Sequence, residues 1–325
     1  MSGTPTPSQP EQHDLVIIGA GPAGLAAALY AAREDLRPLV LEKAVVGGLA
    51  AITATIENYP GFENGVGGLE LADHLLAHAK RFGAEVRSGP EVVGLARTAD
   101  GLRLTLANDQ PPILAQAVLI ATGSTYRHLG APGEAELIGR GVHFCATCDG
   151  PIYRGRELVV VGGGNSALQE TLFLAKFARH ITMLVRGPEL KGSAILRHQV
   201  AQLTNVTVVS QLSVTSLARA EPNGPITLET TKTGGGAGPQ FTADGAFVFI
   251  GLLANTAPFA KTLELDARGF IVATPDYATS LRGVFVAGDV RSGSTWQIAS
   301  AVGEGVAAAL SIRTYLDGQR HQTAA

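Results

Sequence analysis

Cys145 and Cys148 are the only cysteines in the 325-residue chain, and they stand at C-x-x-C spacing in GVHFCATCDGPIYRG, residues 141–155. Three chemistries use that spacing: a dithiol that opens and closes, half of a zinc site, or two inert buried thiols. Zinc needs two more good ligands nearby, and His143 is the one candidate in the segment. His143 otherwise reads as a polar residue beside the loop. A pair that cycles needs a source of electrons, so the elements that could hold one come next.

An internal repeat supplies two. DLVIIGAGPAGLAAALYAAREDLRPLVLEK from Asp14 and ELVVVGGGNSALQETLFLAKFARHITMLVR from Glu157 share one layout: apolar strand, glycine turn, helix, second strand. Both turns match the pattern that aims helix N-terminal amides at a pyrophosphate, G-x-G-x-x-G at Gly19, Gly21 and Gly24 and G-x-G-x-x-A at Gly162, Gly164 and Ala167. Two copies in matching register argue more strongly than either alone. In the first, Glu42 ends the second strand, where a carboxylate accepts the ribose hydroxyls of an adenine dinucleotide. In the second, the same count reaches Val185, with Arg186 next. Loss of the acid and gain of a cation is the change expected for a 2′-phosphorylated nucleotide. The first turn therefore predicts FAD and the second NADPH.

Later segments extend the first half. AVLIATG, 117–123, and GVFVAGDV, 283–290, read as buried strands running into tight turns, and Asp289 falls where a parallel sheet meets its ligand. Chain order then predicts an α/β protein with two Rossmann-like dinucleotide-binding domains, the second inserted into the first. The expected boundaries are 14–123 with 252–325 for FAD, and 124–251 for the NAD(P)H domain that carries the cysteines. Residues 1–13, rich in Pro, Ser, Thr and Gln, read as a disordered lead-in without the apolar core of a signal peptide.

Composition excludes other classes. The net charge of −3 gives no global attraction to nucleic acid or anionic membrane, and no apolar run approaches the ~20 residues of a spanning helix. A cytoplasmic protein is expected, and in that compartment a cysteine pair cycles more readily than it staples.

GVHFCATCDGPIYRGRELVVVGGGNSA resembles the catalytic centre of the low-molecular-weight bacterial thioredoxin reductases, and GAGPAGLAAALYAAR, IENYPGF, IATGS, FIGLLANT and GVFVAGDV occur in that family's order. The resemblance runs from Asp14 to Leu316. It implies a homodimeric thioredoxin-disulfide reductase using FAD and NADPH, with thioredoxin or a similar disulfide protein as partner. It also implies roles: Cys148 nearest the flavin, Cys145 attacking the partner disulfide, and Asp149 as proton donor and acceptor. The FAD-binding set it implies is Gly19, Gly21, Pro22, Ala23, Gly24, Glu42, Gly48, Asn58, Ala121, Thr122, Gly123, Gly288, Asp289, Trp296, Gln297 and Ile298. For NADPH it is Gly162, Gly164, Asn165, Ser166, Ala167, Arg186 and Lys191. In relatives the inserted domain rotates so that nicotinamide and disulfide reach the flavin in turn, with joints here at 123–133 and 251–255.

Three departures bear on the donor. Relatives grip the 2′-phosphate with H-R-R-x-x-x-R; this chain reads VRGPELK, with Gly187 and Lys191 in place of two arginines and Arg197 nearby as a substitute. Lysine neutralises phosphate without a bidentate fork. Leu49 stands where relatives carry glutamine, and Trp296 where they carry arginine, an indole able to stack on a ring. A thinned clamp keeps two alternatives open: a ferredoxin-dependent flavin thioredoxin reductase that does not use NADPH, and a non-enzymatic nucleotide-binding redox sensor.

Overall fold

The computed structural model describes residues 10–53, 55, 56 and 58–323. The chain forms two compact units, Met1–Thr125 with Leu253–Ala325, and Tyr126–Leu252. It passes from the first to the second and back once.

In the first unit, Glu85–Ser88, Pro38–Glu42, Glu11–Ile18 and Ile113–Ile120 lie side by side in parallel, and Val284–Val286 adds in parallel to Ile113–Ile120. Gly101–Leu106 and Val92–Thr98 continue the sheet in antiparallel fashion. Because side chains alternate, Leu15 and Ile17 enter one core with Leu25 and Ile312, while Val16 and Ile18 enter another with Leu104 and Phe259. A sheet covered on both faces requires continuous apolar strands, which is why LVII and VLI show no alternation. Each large side chain buried this way contributes about 1.5–3 kcal/mol before chain entropy is charged against it.

The strand entering the glycine turn starts at Glu11, pairing with Ile113, so the expected lead-in is corrected at 11–13: those residues belong to the sheet. Their backbone groups are satisfied by the neighbouring strand despite polar side chains. Residues 1–9 of that lead-in lie outside the described residues. The helix Ile298–Thr323 packs on Pro22–Arg33, and a Cβ at Gly305 would come 2.1 Å from the Ala23 carbonyl oxygen. Close approach of the helices requires glycine there.

The second unit repeats the plan on a smaller scale. Val206–Ser210, His180–Val185, Glu157–Val161, Gly245–Val248 and Val142–His143 form an all-parallel sheet, in that order. Val159 and Val161 face one core, and Leu158 and Val160 the other. Leu212–Arg219, Ile226–Lys232 and Phe241–Ala243 form an antiparallel ribbon. Among the described residues no helix is long and apolar enough to cross a membrane.

Candidate active site

The first glycine turn is closed behind and open in front. A Cβ on Gly19 would lie 2.4 Å from the Ala121 carbonyl oxygen and one on Gly24 2.0 Å from the Gly19 carbonyl oxygen, whereas one on Gly21 would meet nothing within 4 Å. Backbone alone fits behind, and open space lies in front. Pro22 starts the helix with Gly21 as its N-cap, leaving first-turn N–H groups without intrahelical partners. Gly48 faces Gly21, a Cβ on it lying 3.7 Å from the Gly21 Cα. Glu42 accepts from the Ala20 and Ala44 backbone N–H groups, each at 2.8 Å, which pins its carboxylate against the turn. This cradle fits an adenine dinucleotide pyrophosphate, with Glu42 oriented for ribose hydroxyls.

Other members of the expected flavin set are held by contacts within the first unit. Asn58 Nδ2 donates to Gln297 Oε1 at 3.1 Å, joining two positions 239 residues apart. Thr122 Oγ1 donates to the Asn255 carbonyl at 2.8 Å, and Asn255 Nδ2 returns a bond of 2.8 Å to the Thr122 carbonyl. Asp289 follows Gly288, whose positive φ of 77° turns the chain against Ala23. Burial, assisted by the negative charge of Glu304, pushes the Asp289 carboxyl up to about 6. Trp296 packs at 5.9 Å from Phe270, with the Arg268 guanidinium 5.5 Å from the indole, and its Nε1 has no hydrogen-bond partner.

The second turn matches the first in outline. A Cβ on Gly162 would lie 2.4 Å from the Phe249 carbonyl oxygen, and one on Gly164 would again meet nothing within 4 Å. Asn165 and Ser166 open the following helix on its exposed side, while Ala167 is fully buried. Asn165 Oδ1 accepts from Ser193 N at 2.7 Å, and Lys191 N donates to the Gly163 carbonyl at 2.7 Å. Those bonds hold the 187–193 loop against the turn. A Cβ on Gly187 would sit 3.7 Å from Lys191 Cε, so the lysine stem lies beside the residue following Arg186, and both cations are exposed. Open glycine turn and adjacent cations fit a phosphorylated dinucleotide.

Cys145 and Cys148 form a disulfide, with Cα atoms 5.3 Å apart. Cys145 is the N-cap of the short helix Ala146–Asp149, and Cys148 N donates toward Cys145 Sγ at 3.3 Å. That donor favours negative charge on the sulfur assigned to attack a partner. Asp149 Oδ2 lies 3.2 Å from His143 Nδ1. Among the described residues no His, Cys, Asp and Glu cluster could hold a metal ion.

The comparisons agree with this chemistry. Residues 13–305 match the model of the pyridine nucleotide-disulphide oxidoreductase family. The chain belongs to that family. It is 38% identical over 312 residues to a thioredoxin reductase of Bacillus subtilis, covering 95% of this chain and 96% of the relative. It is 39% identical to a bifunctional thioredoxin reductase/thioredoxin of Mycobacterium leprae, covering 96% of this chain and 68% of the relative. The solved structure of thioredoxin reductase from Streptococcus pyogenes superposes with a TM-score of 0.87 at 32% identity, covering 95% of this chain and all of that one.

Within this pyridine nucleotide-disulphide oxidoreductase, several site residues escaped sequence reasoning. Glu304, 7% exposed, accepts from Gly288 N at 2.8 Å and from Arg291 Nε and Nη2 at 3.0 and 2.6 Å. This bidentate pair fixes the turn that carries Asp289. A glutamate within an alanine-rich helix, GEGVAAAL, was the available signal. Glu170, on the helix after the second turn, has its carboxyl raised by burial, with the Ala146 backbone N–H opposing. Tyr153 and His143 are hydrogen-bonded at 2.8 Å, a link that no spacing in the sequence announces.

Proposed function

We infer that the protein is a flavin-dependent thioredoxin-disulfide reductase, passing two electrons from NADPH to the Cys145–Cys148 disulfide and from the resulting dithiol to thioredoxin. The observation that carries this is the disulfide itself, capping a short helix with Asp149 at its end, in the unit that also holds the second glycine turn. FAD, when bound, supplies a carrier that accepts two electrons from NADPH and passes them to a disulfide. In sum, NADPH, a proton and oxidised thioredoxin give NADP⁺ and the thioredoxin dithiol.

The chain's own residues divide the work. The unit Met1–Thr125 with Leu253–Ala325 holds FAD, through the turn Gly19–Gly24, Glu42, and Asp289. The unit Tyr126–Leu252 holds NADPH, through the turn Gly162–Ala167, Arg186 and Lys191. Cys148 takes the electron pair and Cys145 is released as the attacking thiolate, favoured by the Cys148 N–H. Asp149 exchanges protons with the sulfurs as thiolates form and leave. Thioredoxin as partner is supported by the Mycobacterium leprae relative, which combines reductase and thioredoxin. A homodimer in the cytoplasm completes this reading, supported by the resemblance to the bacterial enzymes.

The test is anaerobic stopped-flow mixing of the FAD-loaded protein with NADPH or NADH, followed by oxidised thioredoxin. Fast loss of oxidised-flavin absorbance with NADPH, then disulfide reduction that Cys148→Ser abolishes, is the expected result. Absence of bleaching by either nucleotide, in protein that dithionite reduces, would replace NADPH with a ferredoxin-type donor. Reduction of flavin without turnover of thioredoxin would favour a sensor.

A further inference from the structure

His143 is 5% exposed, and both of its ring nitrogens are engaged. The strand Val142–His143 pairs with Gly245–Val248, setting His143 opposite Phe247, and the imidazole stacks on the Phe247 ring at 5.2 Å. Tyr153 stands edge-on to both rings, at 5.3 and 5.7 Å. A Cβ on Gly245 would lie 2.6 Å from Tyr153 Cε1, so glycine makes the space in which this tyrosine reaches the histidine. From the imidazole, Nε2 lies 2.8 Å from the Tyr153 hydroxyl and Nδ1 3.2 Å from Asp149 Oδ2. The three side chains form one row ending at the residue beside Cys148.

A carboxylate oxygen only accepts, so Asp149 Oδ2 at 3.2 Å favours a hydrogen on His143 Nδ1. Burial pushes the Tyr153 hydroxyl up to about 12, with the positive charge of Arg219 opposing and Asp149 and Asp244 adding, so it stays protonated at neutral pH. With a hydrogen on Nδ1 facing Asp149, Nε2 is placed to accept the Tyr153 hydroxyl hydrogen at 2.8 Å.

We propose that His143 is a positioning residue for dithiol exchange: held by Tyr153 in its Nδ1–H tautomer, it binds Asp149 Oδ2 and leaves Oδ1 to carry the proton that the departing thiolate takes. This rests on the role given to Asp149 above. The opposite tautomer would present a bare Nδ1 that competes for the same proton.

The exchange balances without another reactant. The Cys145 thiolate attacks one partner sulfur; a mixed disulfide forms, the partner S–S bond breaks, and the electron pair leaves on the second partner sulfur, which takes the proton of Asp149. Asp149, now a carboxylate, takes the proton of the Cys148 thiol, and Cys148 attacks Cys145 Sγ. The intramolecular disulfide re-forms, and the last partner thiolate takes that proton.

The experiment mixes NADPH-reduced holoenzyme with oxidised thioredoxin in a single turnover, beside nucleotide-driven flavin bleaching as a control for folding. Asp149→Asn should slow exchange by about 100-fold. His143→Phe and Tyr153→Phe, which keep the ring packing, should each slow it by about 10-fold, with bleaching unchanged. His143→Asn should recover most of the loss seen in His143→Phe, because its carboxamide N–H can replace Nδ1–H. Nitrogen-15 NMR of the imidazole should show Nδ1 protonated, and Tyr153→Phe should change that tautomer. Full-rate exchange in His143→Phe and Tyr153→Phe, with Asp149→Asn slow, would overturn the inference and leave Asp149 in place. Full-rate Asp149→Asn would remove both. An asparagine as slow as the phenylalanine would reduce His143 to packing and overturn the positioning role.

Discussion

The two glycine turns of this chain can be compared bond by bond. Gly19 N donates to the Leu41 carbonyl at 2.8 Å, and at the matching position Gly162 N donates to the Leu184 carbonyl at 3.1 Å. Ala121 N reaches the Ile18 carbonyl at 2.8 Å, as Phe249 N reaches the Val161 carbonyl at 2.8 Å. The two scaffolds match, and the difference lies at the end of the second strand. There Glu42 ties the first turn through its carboxylate, whereas Val185 covers the second with apolar contact, a Cβ on Gly163 lying 2.7 Å from its Cγ1. The same turn can thus be held by a hydrogen-bonded acid or by a methyl group. The choice sets whether the adjacent surface carries an acid, as at Glu42, or exposed cations, as at Arg186 and Lys191.

A second difference is structural support. The first unit braces the Gly288–Asp289 turn with the Glu304–Arg291 pair, whose acid is buried, and Arg186 and Lys191 of the second are exposed. The largest effect should therefore come from Glu304→Ala, which strands the Arg291 guanidinium and the Gly288 N–H. A loss of about 3–5 kcal/mol is expected, together with loss of bound FAD. Thermal unfolding and flavin content would check it, and an unchanged melting temperature would show that the turn does not depend on this pair. Glu42→Ala comes next. It removes two hydrogen bonds to backbone N–H groups, for about 2–3 kcal/mol, and should weaken FAD while leaving nucleotide binding in the second unit unchanged. Equal losses at both sites, measured by titration, would break the comparison by showing that the turns are not independent. The smallest effect is expected from Arg186→Ala: about 1–2 kcal/mol, seen as a raised KM for NADPH with NADH unaffected. Parallel losses for both nucleotides would mean that Arg186 does not read the 2′-phosphate.

How legible the molecule was depended on the range of the interaction. Strand, turn and helix were readable at Asp14 and Glu157 because hydrophobic runs and glycine spacing are local consequences of backbone geometry. The expected lead-in was too long by three residues because polar Glu11–His13 carry no apolar pattern. Their strand is made by pairing with Ile113–Ala115, a partner about a hundred residues away. Trp296 could be noticed as a departure, but its packing on Phe270 could not be read from neighbouring positions.

By itself the sequence determined two dinucleotide folds, their nesting, and a lone cysteine pair of redox spacing, since each follows from residue type and short-range order. Only the tertiary structure decided which groups share a hydrogen bond: Glu304 with Arg291, Asn58 with Gln297, and Tyr153 with His143. Hydrogen bonds act over about 3 Å and the chain supplies many equivalent donors and acceptors, so partners are chosen by packing. For His143 that choice converts a polar residue beside a loop into the link between a half-buried tyrosine and the acid next to the cysteine pair.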